Sequence, residues 1–312
     1  MTGAVIPRPA VTWRALLLLA AYVVVFSPLF VLAPLAGLLI ASRPTTIREW
    51  AWIAAALLWV LATVGQSSGL ATDVKPACAL FVTGAFVALM LPGRRQLVSG
   101  ALLATLVGFG AATAWVWVLG IRWQDIQLAV AHDGWESFRQ LLAQGDLSGE
   151  MLERVRGLLD ALTDGYGVMA DLLPAVLILT ALPGLALAWT WYHRLSAHPA
   201  GRAEGRFAEF RFNDHLVWLV VIVVTGLVLP LPDAVQGILS NLALITGVLY
   251  AARGAAIAWT SVERFPLVLR IVLTVVAAGI LPVALGGFFA LGLADTWVDF
   301  RRRFHAAESK QE

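Results

Sequence analysis

Four polar side chains stand within or beside long apolar stretches of this sequence, and they are the residues whose types could do chemistry. They are Gln66, Asn241, Arg253 and Asp295. A charged side chain deep in lipid costs at least about 2.5–3.5 kcal/mol, so Arg253 must face protein, water or a headgroup. Its guanidinium can contact an anionic ligand, pair with Asp295 or Asp299, or extend to the membrane surface. We take the four residues as candidates for binding a solute.

The rest of the sequence offers little catalytic chemistry. Its five histidines form no His-Glu-x-x-His motif, and the single cysteine, Cys78, has no partner for a disulfide or a thiolate zinc site. The Gly-x4-Gly-Lys-Ser/Thr loop of an ATPase is also absent. We therefore predict that the chain is not an enzyme and binds neither a metal nor a cofactor.

The composition requires that most of the chain be surrounded by lipid. Apolar residues make up 60% of the 312 residues and charged residues only 13%, about half the charged share of an ordinary soluble domain. The basic residues are nearly all arginine and are scattered between apolar stretches rather than gathered in a phosphate-binding patch. This pattern excludes a water-soluble globule, a disordered chain and a nucleic-acid-binding protein, and it predicts the lipid bilayer as the main partner.

The uncharged stretches have the length of membrane helices, since about 20 residues rising about 1.5 Å each cross the hydrocarbon layer. They lack the alternation of strands, and an open strand leaves unpaired amides in lipid. The sequence therefore predicts an all-α, polytopic transmembrane helical bundle of about eight apolar segments. These segments are residues 15–42, 50–72, 76–93, 96–121, 172–192, 216–232, 234–252 and 271–294.

The first apolar stretch is too long for one upright helix and contains Pro28. Arginines stand on both sides of it, with Arg14 before the stretch and Arg43 after it. Because arginine flanks favour the cytoplasm, both ends are expected on that side. We therefore predict a short hairpin that turns near Pro28.

Residues 122–171 form the longest polar segment, with nine acidic residues and four arginines, a net charge of −5. The alternation of charged loops places this segment outside the cytoplasm, and its negative charge suits export. Apolar residues between Met151 and Leu162 recur on one helical face, which predicts amphipathic helices on the outer surface. These helices either cover exposed helix ends or gate a cavity.

The exported segment divides the chain into four parts. These are N-terminal transmembrane helices in 1–121, the extracytoplasmic amphipathic helical insert in 122–171, C-terminal transmembrane helices in 172–294, and a polar tail in 295–312. A single last span places the arginines from Arg301 outside, against the charge rule. Either Pro282 with Gly286 and Gly287 folds the last stretch back, or neighbouring helices orient it.

Several segments, mostly in the C-terminal half, carry a resemblance to a known family. They read LPAVLILTALPGLALAWTWYHRL from Leu173, FAEFRFNDHLVWLVV from Phe207, NLALITGVLYAARGAAIAW from Asn241 and LGLADTWVDFRRR from Leu291. They resemble the YybS-like family of bacterial polytopic membrane proteins of unknown function. The ending from Asp295 to Arg303 is the most specific part, and the N-terminal half resembles the family more loosely.

The YybS-like family is in turn distantly similar to the substrate-binding components of energy-coupling-factor (ECF) vitamin transporters. That similarity implies a solute cavity opening outward, with a membrane coupling subunit and an ATPase as partners. It favours a solute-binding or transport-associated protein in the bacterial inner membrane; the alternative is a non-transporting membrane scaffold or assembly partner. A polar cavity lined by side chains such as Gln66 and Asn241 is expected of the first and not of the second.

Overall fold

The computed structural model describes residues 22, 27–64, 70–93, 95–129, 170–203, 205, 207, 210–263 and 265–298. Every regular element in these ranges is a helix, so the all-α architecture expected from the sequence is confirmed. In chain order they are α1 (Leu29–Ala41), α2 (Ile47–Val64), α3 (Leu70–Met90), α4 (Leu97–Val118), α5 (Leu173–Leu195), a 3-10 turn (Asp214–Leu216), α6 (Val217–Val228), α7 (Asp233–Val262), α8 (Leu267–Gly279) and α9 (Leu281–Val298).

Helices α4, α5, α7 and α9 are long and apolar enough to cross a membrane. The helices α1 and α8, the second part of α3, and the 3-10 turn with α6 are also apolar but shorter. In the most apolar part of each of these four helices, the share of buried residues ranges from 11% in α9 to 44% in α5. Most of this apolar surface is therefore available to lipid. The number of eight membrane segments stays a prediction.

Helices α1 to α5 belong to one compact unit, and the chain from Gly205 onward forms a second. In the first unit α1 packs against α2, α3 and α5. Its sequence accordingly has no polar face, and Val31, Leu38 and Leu39 are fully buried. Helix α5 therefore belongs with the N-terminal helices by packing, whereas the sequence division grouped residues 172–294 together.

The C-terminal end of α5 gives the first unit an aromatic core. Trp189, Trp191 and Tyr192 are each at most 2% exposed. The indole Nε1 of Trp189 donates to the carbonyl oxygen of Arg202 at 3.0 Å, and the Tyr192 hydroxyl accepts from the amide of Ala200 at 2.9 Å. Because buried indole and phenol groups need hydrogen-bond partners, these bonds hold the segment after α5 against the helix.

The predicted hairpin in the first apolar stretch is described only in its second half. Helix α1 begins after Pro28 and runs to Ala41, with Pro34 inside it. The start of α1 coincides with the turn expected from the sequence. The first limb of the predicted hairpin lies outside the described residues.

Most of the predicted insert, residues 130–169, also lies outside the described residues. The two described ends of the insert meet. The Gln127 side-chain amide donates to the carbonyl oxygen of Ala170 at 3.2 Å and to Oδ1 of Asp171 at 3.1 Å. The chain therefore leaves and re-enters the first unit at one place.

The last apolar stretch is interrupted near its middle. Helix α8 ends at Gly279 and α9 begins at Leu281, with Pro282 as its second residue. The hydrogen bonds Ile280 N to Val276 O and Ala284 N to Ile280 O continue the helical pattern on both sides. The interruption is thus a proline-associated bend. Gly286 and Gly287, which were expected to help the stretch fold back, lie within α9.

The second unit is organised around α7, which packs against α9 and α6. Leu239, Thr246, Tyr250 and Ile257 are buried at spacings of seven, four and seven residues, which marks one face of the helix. This face of α7 also includes the charged residue Arg253.

Candidate functional site

Arg253 is the largest charged side chain that is buried among the described residues of the second unit. It lies on the buried face of α7 and is 0% exposed, so the alternative in which its guanidinium reaches the membrane surface is wrong. A guanidinium keeps its charge at any accessible pH, and a buried charge requires a counter-charge. The structure supplies two carboxylates, from Asp295 on α9 and from Asp214 on the 3-10 turn. We call these three residues the Arg253 network.

The expected pairing with Asp295 is present. Arg253 Nε donates to Oδ2 of Asp295 at 3.0 Å, and Nη2 lies 2.9 Å from the same oxygen. On the other side, Nη1 donates to Oδ1 of Asp214 at 2.7 Å. Oδ2 of Asp214 accepts from Nη2 of Arg211 at 3.0 Å. Asp214 thus lies between two arginines.

Two glycines bring α7 and α9 close enough for this pairing. A methyl group added to Gly254 would meet the backbone carbonyl of Phe288, and one added to Gly292 would meet the carbonyl of Tyr250. Small residues at a helix crossing allow this close approach of backbones. Gly254 directly follows Arg253, and Gly292 stands three residues before Asp295. The glycine crossing therefore sets the distance between the cation and its buried carboxylate.

Aromatic rings line the same place. The guanidinium carbon of Arg253 lies 5.4 Å from the centre of the Phe212 ring, within cation–π distance. The Phe212 and Tyr250 rings meet edge to face at 5.1 Å, and Tyr250 meets Phe289 at 6.2 Å. These rings exclude water, which strengthens the electrostatic interactions of Arg253.

Three buried polar atoms around Arg253 have no hydrogen bond of ordinary geometry within the described part of the chain. They are Nη2 of Arg253, the Tyr250 hydroxyl and Oγ1 of Thr296. Nη2 forms an ion pair with Oδ2 of Asp295 at 2.9 Å but is not aligned for a hydrogen bond with it. Nη2 is nevertheless ion-paired with Asp295, and the Tyr250 and Thr296 hydroxyls contact each other, so this neighbourhood keeps part of its hydrogen-bonding capacity unused.

The two carboxylates differ in their contact with water. Asp295 is 2% exposed, whereas the Asp214 side chain is 41% exposed. Partial burial by itself raises the pKa of Asp214, but the hydrogen bonds and charges of Arg253 and Arg211 outweigh it and lower that pKa. Asp214 is therefore an ionised and accessible member of the network.

The structure does not bring all four sequence candidates together. Asn241 donates from its side-chain amide to the carbonyl oxygen of Gly237, one turn earlier in α7. Twelve residues separate Asn241 from Arg253, about 18 Å along a helix, so Asn241 is not part of the network. Gln66 and Asp299 lie outside the described residues. Of the four candidates, Arg253 and Asp295 are thus the two that the structure brings together.

The sequence analysis missed Asp214 and the aromatic residues around it. Asp214 is separated from Arg253 by 39 residues and precedes an apolar helix, where a carboxylate has an ordinary capping position. It also missed Glu49, whose signal is the Thr46-Ile47-Arg48-Glu49 capping box. Glu49 is 2% exposed at the start of α2.

One catalytic motif also went unrecognised. Residues 65–69 read Gly-Gln-Ser-Ser-Gly, which has the Gly-x-Ser-x-Gly spacing of a nucleophile elbow. That motif requires a turn from a strand into a helix, whereas here the flanking elements are the helices α2 and α3. The five residues themselves lie outside the described residues, so the motif supports no assignment.

The described residues offer no cluster of metal ligands. That part of the chain contains no group of three or more His, Cys, Asp or Glu side chains close enough to hold a metal ion. The two carboxylates of the Arg253 network are each bonded to arginine. The described contacts of these carboxylates are thus those of arginine–carboxylate ion pairs.

The comparisons with known proteins agree with this architecture. Neither a curated protein nor a solved structure matches the chain. Residues 13–296 match the family DUF2232, whose description is "Predicted membrane protein". The match covers nearly the whole chain and includes the described helices up to residue 296, two residues before the end of α9. The chain therefore belongs to the DUF2232 family of predicted membrane proteins.

Proposed function

We propose that this protein is a solute-binding or transport-associated component of the bacterial inner membrane, and that the Arg253 network is part of its binding site. The observation that carries the proposal is a fully buried arginine on an apolar helix long enough to span a membrane. Ionisable residues within membrane segments are rare, face the protein interior and mark solute or ion pathways.

The energetics of the network favour a binding role over a purely structural one. A buried ion pair gains little net stability, because the loss of hydration offsets most of the attraction between the charges. Apolar side chains of similar volume hold two helices together at least as well. The network also keeps one carboxylate accessible, and Nη2 of Arg253 has no aligned hydrogen bond among the described residues, an arrangement that suits a ligand.

Membership of the DUF2232 family is compatible with the proposal, and the resemblance to YybS-like proteins extends it. Through that resemblance, a membrane coupling subunit and an ATPase are the proposed partners. The sequence contains no Gly-x4-Gly-Lys-Ser/Thr loop, and an ATPase partner would supply this function. The proposal includes no catalytic reaction.

The proposal is tested by identifying what the protein carries. The full chain is purified in mild detergent, and mass spectrometry identifies the small molecules and proteins that remain bound. We expect a small molecule with the wild type and with Arg202→Met, and none with Arg253→Met. Arg202 is a matched control because it is exposed. Wild-type protein that repeatedly retains no small molecule and shows no ligand-dependent stabilisation contradicts a solute-binding role.

One observation favours the alternative of a membrane scaffold or assembly partner. None of the residues of α8 is buried, and Val268, Ile271 and Val275 are among its exposed apolar side chains. Such a helix can contact lipid or another membrane protein. The same purification separates the two roles, since a scaffold retains a protein partner but no small molecule.

A further inference from the structure

The two carboxylates of the Arg253 network are not equally replaceable. Asp295 is buried within α9 beside the glycine crossing, so it cannot leave without separating α7 from α9. Asp214 stands on a three-residue 3-10 turn and its side chain is 41% exposed. A small rotation of this side chain takes its carboxylate away from Arg253 into water.

Asp214 also has a second cation that can hold it after such a movement. Arg211, three residues earlier, already donates to Asp214 Oδ2 at 3.0 Å, and its own side chain is 47% exposed. Leaving Arg253 therefore does not leave the Asp214 carboxylate without a counter-charge. The carboxylate position on Arg253 can be exchanged at a small electrostatic cost.

A free carboxylate can use more of the hydrogen-bond donors around Arg253 than the Asp214 carboxylate uses. A guanidinium binds a carboxylate most strongly when two parallel N–H groups each contact one oxygen. Asp214 contacts only Nη1, while Nη2 has no aligned hydrogen bond among the described residues. The hydroxyls of Tyr250 and Thr296 contact each other, and because only one of them donates in that contact, one O–H donor remains nearby. An incoming carboxylate across Nη1 and Nη2 satisfies donors that Asp214 leaves unused.

We infer that Arg253 binds the carboxylate of a small organic acid, which takes the place of the Asp214 carboxylate. This inference rests on the proposed function and names its solute class. One carboxylate replaces another, so the charge around Arg253 is unchanged and the incoming group occupies the space that Asp214 vacates. The rings of Phe212, Tyr250 and Phe289 favour an acid with an apolar body.

The test compares three probes that differ in charge and hardly in shape, namely benzoate, benzamide and benzylamine. Binding to the full-length protein in lipid nanodiscs is measured by calorimetry. We expect the wild type to bind benzoate and neither of the other two. Because Asp214 competes with the ligand, Asp214→Asn should bind benzoate about 10-fold more tightly. Asp233→Asn, the same change about 30 Å along α7 from Arg253, should leave the affinity unchanged.

The arginine variants test the other side of the exchange. Arg253→Met should lose benzoate binding, and Arg253→Lys should weaken it strongly, because lysine keeps the charge but cannot bind both oxygens in parallel. The Asp214→Asn measurement does not depend on either variant folding. Laurate, added in the same nanodiscs, distinguishes a membrane-derived acid from a soluble one. Binding of either carboxylate, tightened by Asp214→Asn, supports the inference.

The outcomes that overturn the inference are distinct from failure of the proposed function. Benzoate or laurate binding that Asp214→Asn weakens or leaves unchanged contradicts the exchange of carboxylates. Binding of benzylamine in place of both acids contradicts the solute class, although a solute-binding role then stands. Failure of the proposed function itself is seen only when the purification experiment recovers no small molecule and no probe binds.

Discussion

Two buried carboxylates, one in each compact unit, are neutralised in different ways. Glu49 in the first unit and Asp295 in the second are both 2% exposed. Glu49 accepts hydrogen bonds from the amides of Thr45, Thr46 and Ala197 at 2.7–2.9 Å, and from the Thr46 hydroxyl at 2.8 Å. Asp295 is paired with the Arg253 cation.

The difference between the two sites indicates which of them can exchange a carboxylate for that of a ligand. The partners of Glu49 are mostly backbone amides, fixed in place by the start of α2 and the segment after α5. They join two parts of the first unit and have no alternative position. Arg253 instead holds two carboxylates, one of which is accessible. Amide-bound Glu49 is thus suited to a structural role, and the arginine-bound pair to ligand exchange.

The strongest way to break this comparison is to remove the cation. Arg253→Met removes the cation that contacts the buried Asp295 carboxylate, so we expect a loss of about 3–5 kcal/mol in unfolding free energy. Unfolding of the purified full chain in detergent measures the loss. Arg202→Met, at an exposed position, is the control and should change stability by less than about 0.5 kcal/mol.

A second substitution shows whether the loss is electrostatic. Adding Asp295→Leu to Arg253→Met also removes the buried carboxylate, and the double variant should recover a large part of the stability. A double variant no more stable than the single one contradicts the buried ion pair as the cause.

The next effect concerns the helix crossing that positions the pair. Gly292→Ala places a methyl group against the Tyr250 carbonyl, so α9 must shift away from α7. We expect destabilisation of about 1–3 kcal/mol and weaker solute binding. Gly286→Ala is a matched control on the same helix, because its added methyl group meets nothing within 4 Å. Equal stability of the two variants contradicts the role of the crossing.

A smaller effect is expected for the amide-bound carboxylate. Glu49→Gln keeps the shape but removes the charge, and its amide nitrogen cannot accept the hydrogen bonds that Glu49 accepts. We expect a loss of about 1–2 kcal/mol with no change in solute binding. The control is Glu263→Gln, at an exposed position. Altered solute binding in Glu49→Gln, at unchanged folding, contradicts a purely structural role.

The smallest effect is the pH dependence of the same residue. Burial raises the pKa of Glu49, but the bonds from Ala197, Thr46 and Thr45 outweigh it and lower the pKa from 4.5 to about 2. A lowered carboxyl pKa contributes stability above its ordinary value and loses it as the pH falls toward the folded value. The stability difference between wild type and Glu49→Gln should therefore shrink between about pH 4.5 and pH 2. A difference that grows over this range has the wrong sign for this mechanism.

The sequence predicted the general architecture because lipid imposes simple rules. Long uncharged stretches must be helical, and the described helices overlap those stretches. Their bounds differ, since α2 ends at Val64 inside the stretch 50–72 and α3 begins at Leu70 and includes the charged Asp73 and Lys75. The pairing of Arg253 with Asp295 was one of three stated alternatives, since a buried cation needs an anion. Sequence alone did not choose among them, because the choice depends on how α7 faces α9.

The missed residues depend on contacts between distant parts of the chain. Asp214 reaches Arg253 because the 3-10 turn begins there, and no spacing rule relates these two positions. Gly254 and Gly292 are ordinary glycines in the sequence until α7 and α9 cross at them. The capping box that includes Glu49 is a local pattern that sequence analysis can find, whereas its bond to Ala197 joins positions 148 residues apart.

The meeting of Gln127 with Ala170 and Asp171 has a practical use in protein engineering. Because those two ends lie within hydrogen-bonding distance, a short glycine–serine bridge can span them without straining either flanking helix. A shortened protein lacking residues 130–169 should therefore still insert and fold. It would offer a smaller target for structure determination, and the excised position would accept a rigid fusion partner as a fiducial for imaging.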